Sequence, residues 1–117
     1  MPPATDRHDV VDRVLLAADL VPSGRVVNYG DIAALVGTSP RRVGQIMARY
    51  GHETNWWRVT SHAGDLVVLD AALEHWHSEG IQVKPNGLGC RIRDYQADLV
   101  ALAEAYEQAP AGDLPDV

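Results

Sequence analysis

Apolar residues recur at helical spacing between residues 6 and 21. Val10, Val11, Val14, Leu15, Ala18, Leu20 and Val21 are separated by Asp9, Asp12, Arg13 and Asp19, which predicts an amphipathic helix. Pro22, Ser23 and Gly24 break it, and Arg25, Val26 and Val27 read as a short extended link. Ile32, Ala33, Leu35 and Val36 form the stripe of a second helix over Tyr29 to Val36, with Asn28 placed to cap it and Asp31 in the favourable first turn. Gly37 ends that helix, Ser39 can cap the next, and Pro40 suits a first helical position whose amide would be unpaired anyway. The third helix runs from Pro40 to about Tyr50. Val43, Ile46 and Met47 face inward, and Arg41, Arg42, Gln45 and Arg49 are left on or near the outer surface. Two short helices, a tight turn and a basic outer face make the helix-turn-helix pattern.

Residues 51–55 read as a polar loop that delivers Trp56 and Trp57. From Val59 and Thr60 through Gly64 and Asp65 to residues 66–69, the pattern predicts a β-hairpin in the position of a wing. Asp70 is expected to cap a helix that runs through Leu73, Trp76 and His77 and closes at Gly80. Residues 81–84 read as extended and 85–89 as a turn. A last helix is expected over 94–108, with Tyr95, Leu99, Leu102, Ala103 and Tyr106 on one side; residues 1–4 and 109–117 read as loose ends. The fold expected is a single α+β domain over 1–117: a small winged-helix-like helix-turn-helix domain with a β-hairpin wing and an extra C-terminal helix.

A length of 117 residues with 46% apolar content supports one core, not two. No apolar run is long enough to cross a bilayer, and no basic region followed by a hydrophobic stretch marks a secretory signal. The single cysteine excludes an internal disulfide and fits a reducing, cytoplasmic location. The net charge of −6 argues against a general affinity for phosphate, but its distribution is uneven. Residues 24–59 carry five arginines against two acids, a local +3. With a Debye length of about 8 Å at physiological salt, such a face can act while the remaining surface stays acidic. No metal or cofactor is expected: His75 and His77 lie on different helical faces, and His52 and His62 have no partner at ligand spacing. Cys90 reads as a structural thiol, its pKa expected to fall modestly beside Arg91 and Arg93.

Residues 24–33 (Gly-Arg-Val-Val-Asn-Tyr-Gly-Asp-Ile-Ala), 41–47 (Arg-Arg-Val-Gly-Gln-Ile-Met), 56–59 (Trp-Trp-Arg-Val) and Glu79-Gly80 together resemble the DNA-binding domain of O6-alkylguanine-DNA alkyltransferases, over roughly residues 8–84. That family's Pro-Cys-His-Arg-Val motif carries the alkyl-accepting cysteine, and here Asn55-Trp56-Trp57-Arg58-Val59 stands in its place. A tryptophan for the cysteine resembles the alkyltransferase-like proteins, non-enzymatic relatives that bind alkylated DNA and flag it for excision repair. Loss of the histidine and proline departs even from them. The resemblance implies a sensor of O6-alkylguanine lesions in duplex DNA that flips the base, works as a monomer and has nucleotide excision repair proteins as partners.

On that resemblance Tyr29 crowds the phosphate beside the target nucleotide, and Arg41 enters the base stack. Ser39, Arg42, Gln45 and Arg49 make the remaining DNA contacts. Tyr29, Trp56, Trp57 and Arg58 belong to the lesion pocket, Arg58 supporting its motif, and Glu79 matches the acid that polarises the missing histidine and so loses its partner. The residues themselves leave alternatives open. Each tryptophan can stack an extruded base or fill an emptied space, and the same helices would serve a transcription regulator that never flips a base.

Overall fold

The computed structural model describes residues 4–109. Helix α1 (Ala4–Leu20) packs behind α2 (Tyr29–Val36) and α3 (Pro40–Tyr50); α4 (Leu69–Glu79), α5 (Ile92–Tyr95) and α6 (Leu99–Gln108) follow. The two strands, β1 (Val27–Asn28) and β2 (Val59–Thr60), pair in parallel, Val27 opposite Val59 and Asn28 opposite Thr60. Among the described residues no helix is long and apolar enough to cross a membrane.

Local chemistry fixes the helix-turn-helix as the sequence implies. The Asp31 amide donates to Asn28 Oδ1 at 2.8 Å and the Asn28 amide donates to Asp31 Oδ2 at 3.0 Å, a reciprocal capping box that satisfies two amides at the head of α2. Gly37 closes the helix in the left-handed region, φ 84°. Two residues on, Ser39 Oγ accepts from the Arg42 amide at 3.1 Å and Pro40 starts α3. The caps are worth about 1 kcal/mol each and hold the turn to a few residues.

Val14, Ala17 and Ala18 of α1 and Val21 just beyond it meet Ile32 and Ala33 of α2, Val43 and Ile46 of α3, and Val27, Val59, Ala97 and Leu102 in one buried cluster. A second cluster joins Val26, Leu66, Ala72, Trp76, Ile81 and Cys90. The paired strand residues Val27 and Val59 both belong to the first. Val26 and Val27, adjacent in an extended segment, point into opposite clusters.

Three expectations change. Of the hairpin over 59–69 only the turn forms, where the Ser61 amide donates to the Asp65 carbonyl at 2.9 Å. Strand β2 pairs with β1 instead. Leu66 donates to the Leu88 carbonyl, and Asp65 bridges Gly89 in antiparallel fashion. The cause is the close approach of Gly64 to 89–90: a Cβ on Gly64 would collide with the Cys90 carbonyl oxygen, and one on Gly89 with the Gly64 carbonyl oxygen. Helix α4 begins with Val68, not Asp70, at its cap position and without a side-chain cap bond. It buries Ala72 and Trp76, and leaves Leu73 and His77 exposed.

The helix expected over 94–108 is two helices. Residues 96–97 are drawn out of helical form because the Ala97 amide donates to the Val26 carbonyl at 3.0 Å while Val26 donates to Tyr95 at 2.9 Å; Asp98 then caps α6. Of the expected loose ends at 1–4 and 109–117, Ala4 instead starts α1 and Ala109 follows α6, and residues 1–3 and 110–117 lie outside the described residues.

Candidate nucleic-acid interface

Positions 41, 45 and 49 are each four residues apart, so Arg41, Gln45 and Arg49 form one exposed stripe along α3, with Arg42 half-buried at its edge. Val43 and Ile46 anchor the opposite face in the core. Among the described residues no acid forms an ion pair with Arg41, Arg42 or Arg49; the Arg49 guanidinium lies 5.8 Å from the centre of the Tyr50 ring. Ser39 is exposed at the helix head, its hydroxyl accepting from the Arg42 amide.

Tyr29, the first residue of α2, is half-buried, and burial raises its hydroxyl pKa above the ordinary value. Its ring lies alongside Gly44, where a Cβ would sit 3.7 Å away. That is ordinary van der Waals contact, so crowding inside the fold does not demand glycine there. Tyr29 and Gly44 open onto a cavity of about 570 Å³, walled by Met47, Ala48 and His52, by Trp56 and Val59, and by Leu66, Val67, Val68 and Ala71. Trp56 faces this cavity; Trp57 and Arg58 do not line it, contrary to their expected place in the pocket.

They lie instead around Glu79. Residues 56–58 form a single 3-10 turn, and the Asn55 side-chain amide and backbone amide tie its start to Asp19 at 3.2 Å each. Trp57 Nε1 donates to Glu79 Oε2 at 3.0 Å. Arg58 donates from Nε to Oε1 at 3.1 Å and from Nη2 to Oε2 at 2.6 Å, and its Nη1 reaches the Val21 carbonyl at 2.9 Å. The Gly24 amide adds a fourth bond to Glu79, at 2.9 Å. Glu79 therefore has not lost its partner: the indole N–H takes the place the sequence left vacant. Burial by itself would raise the Glu79 pKa. The hydrogen bonds from Arg58, Gly24 and Trp57, together with the Arg58 charge, overcome it and hold the carboxyl at about 2.

The two tryptophans are also held by rings. Trp57 stacks on His75 with centroids 3.7 Å apart and planes 8° from parallel, and Trp56 stands edge-on to both, 5.8 Å from Trp57 and 5.9 Å from His75. Trp76 Nε1 donates to the Trp57 carbonyl at 2.6 Å. Sequence reasoning considered His75 only as a metal ligand and missed this role. The available signal was its spacing, one turn before Glu79 on the same side of α4.

Cys90 is fully buried, and burial pushes its thiol up to about 11 against the lowering influence of Lys84. This overturns the expectation that Arg91 and Arg93 would lower it. A thiol so placed is neither ionised nor accessible as a nucleophile.

Residues 9–84 match the family described as 6-O-methylguanine DNA methyltransferase, DNA binding domain. Among curated proteins no sequence matches the chain. Solved structures share the fold, two of them bound to DNA. One is S. pombe Atl1 in complex with damaged DNA containing O6-carboxymethylguanine, with 25% identity, a TM-score of 0.68 and coverage of 77% of this chain and 95% of that one. The other is the S. pombe ATL protein in complex with DNA, with 25% identity, a TM-score of 0.62 and the same coverage.

Proposed function

Because the chain belongs to the family of 6-O-methylguanine DNA methyltransferase DNA-binding domains, we propose that it senses O6-alkylguanine lesions in duplex DNA without removing the alkyl group. The observation that carries this reading is Trp56 on the wall of a cavity beside the arginine-bearing face of α3. An indole there can stack an extruded base, whereas neither Trp56 nor Trp57 can act as nucleophile or relay a proton. The S. pombe Atl1 structure, bound to damaged DNA, supports the same reading for a protein of this fold.

In this account α3 lies along the DNA. Arg49, Arg42, Gln45 and Ser39 contact the backbone, Tyr29 crowds the phosphate next to the target, and Arg41 occupies the space the base leaves. Base flipping costs a few kcal/mol of lost pairing and stacking, which Arg41 and the Trp56 stack offset in part. The chain acts as one monomeric DNA-binding unit with its core over about 8–84, and it marks the lesion in the cytoplasm for nucleotide excision repair proteins.

Gel-shift titration of duplexes that differ only in guanine or O6-methylguanine tests the proposal. Tighter binding of the methylated duplex is expected. Equal, salt-sensitive binding of both would favour a helix-turn-helix regulator, and no duplex binding would leave an interaction module that has kept only the fold.

A further inference from the structure

Lesion sensing leaves open which O6 substituent the cavity takes, and its walls bear on that choice. Met47, Trp56, Val59, Leu66, Val67 and Val68 make most of the lining apolar. Its volume of about 570 Å³ lies within the ~300–1,000 Å³ range of pockets that enclose small organic ligands, so it accommodates groups larger than a methyl. The ionisable side chains in the lining are Tyr29 and His52, and neither brings a permanent cation. Beside His52 the Glu53 carboxylate lies 3.7 Å from Nε2, with both side chains largely exposed to solvent. Arg58, two residues beyond Trp56, has its guanidinium held by Glu79 and Val21, and Arg41, Arg42 and Arg49 are outside the lining.

Resting on the lesion-sensing reading above, we infer that the cavity selects neutral, apolar O6 substituents, up to aryl size, and discriminates against anionic ones such as O6-carboxymethyl. A benzyl group in this lining exchanges water for apolar contacts. A carboxylate gives up part of its water against this wall and finds no fixed cation in the lining to replace it. This sets the chain apart from S. pombe Atl1, whose structure contains O6-carboxymethylguanine in the bound DNA.

The test is competition binding with four duplexes of one sequence, carrying guanine, O6-methylguanine, O6-benzylguanine or O6-carboxymethylguanine at the same position. The benzyl duplex should bind at least as tightly as the methyl one, and the carboxymethyl duplex about tenfold or more below the benzyl. Equal affinity for benzyl and carboxymethyl, both above guanine, overturns the inference and leaves lesion sensing standing. If no modified duplex exceeds guanine, lesion sensing itself fails and the inference with it. Val67→Arg supplies a cation at the cavity wall from a fully exposed position, so the core is untouched. It should narrow the benzyl-to-carboxymethyl ratio by several fold; an unchanged ratio rules out charge as the cause.

Discussion

At Trp56 a stacking role and a packing role make different demands on the same ring. A core tryptophan is enclosed on all sides, and its truncation costs roughly 3–5 kcal/mol. Trp56 is only half-buried, with its edge against Trp57 and His75 and the rest of the ring on the cavity wall. Trp56→Ala should therefore lower thermal stability by less than that range. It should weaken lesion binding by about 1–3 kcal/mol with little effect on undamaged duplex. Melting curves and lesion titrations on the same sample separate the two roles, and a stable variant with unchanged lesion affinity would reject stacking.

Glu79 behaves oppositely, since its chemistry is structural. Its side chain and that of Arg58 are 10% and 12% exposed, and removing one partner strands the other's charge. Glu79→Ala should cost about 3–5 kcal/mol at neutral pH, measured by denaturant unfolding. The carboxyl pKa is depressed in the fold, so its contribution is complete above the ordinary carboxylate value of about 4.5 and is lost as pH falls toward about 2. The gap between wild type and variant should close across that window.

Along α3 the exposed stripe of Arg41, Gln45 and Arg49 places two arginines two turns apart, and the proposed function gives them different tasks. Loss of a phosphate contact weakens all duplexes alike and lowers the slope of log affinity against log salt by about one unit, which is the expectation for Arg49→Ala. Arg41→Ala should instead erase the preference for a lesion, because its proposed partner is the space beneath a flipped base. Identical behaviour of the two variants on modified and plain duplexes, read by titration at two salt concentrations, would remove the distinction. The helices that carry these side chains were legible in the sequence because caps, terminating glycines and a 3.6-residue period are local signals. Asn28, Gly37, Ser39 and Pro40 mark the bounds of α2 and α3 by themselves.

The hairpin over 59–69 and the unbroken helix over 94–108 failed for the complementary reason. Val59 pairs with Val27, and Ala97 with Val26, across long stretches of chain. No window around Val59 or Ala97 carries those partners, and the Gly64 and Gly89 contact that reroutes the chain joins residues 25 apart. The site divides in the same way. The family motifs pointed to Tyr29, the arginines and Trp56. They did not reveal that Trp57 would bond Glu79 and stack on His75, since both contacts need α4 folded against the 3-10 turn.

For the whole molecule, the proposed lack of alkyl transfer rests on where its one sulfur thiol lies and on the indole at position 56. The chain contains one cysteine, and the site where the family carries its nucleophile is an indole. Transfer would need a thiolate within reach of a flipped base. Cys90 lies in the second buried cluster, outside the cavity lining, with its thiol pKa pushed up to about 11. At neutral pH such a thiol stays almost wholly protonated and is a poor nucleophile. Prolonged incubation with O6-methylguanine duplex should leave the lesion intact and the intact protein mass unchanged, as read by mass spectrometry. A gain of one methyl group on Cys90 or any other residue would overturn the reading. The same incubation at low and physiological salt should show binding without conversion, falling off as salt rises, because a local +3 face on a chain of net charge −6 holds DNA chiefly through its few exposed arginines.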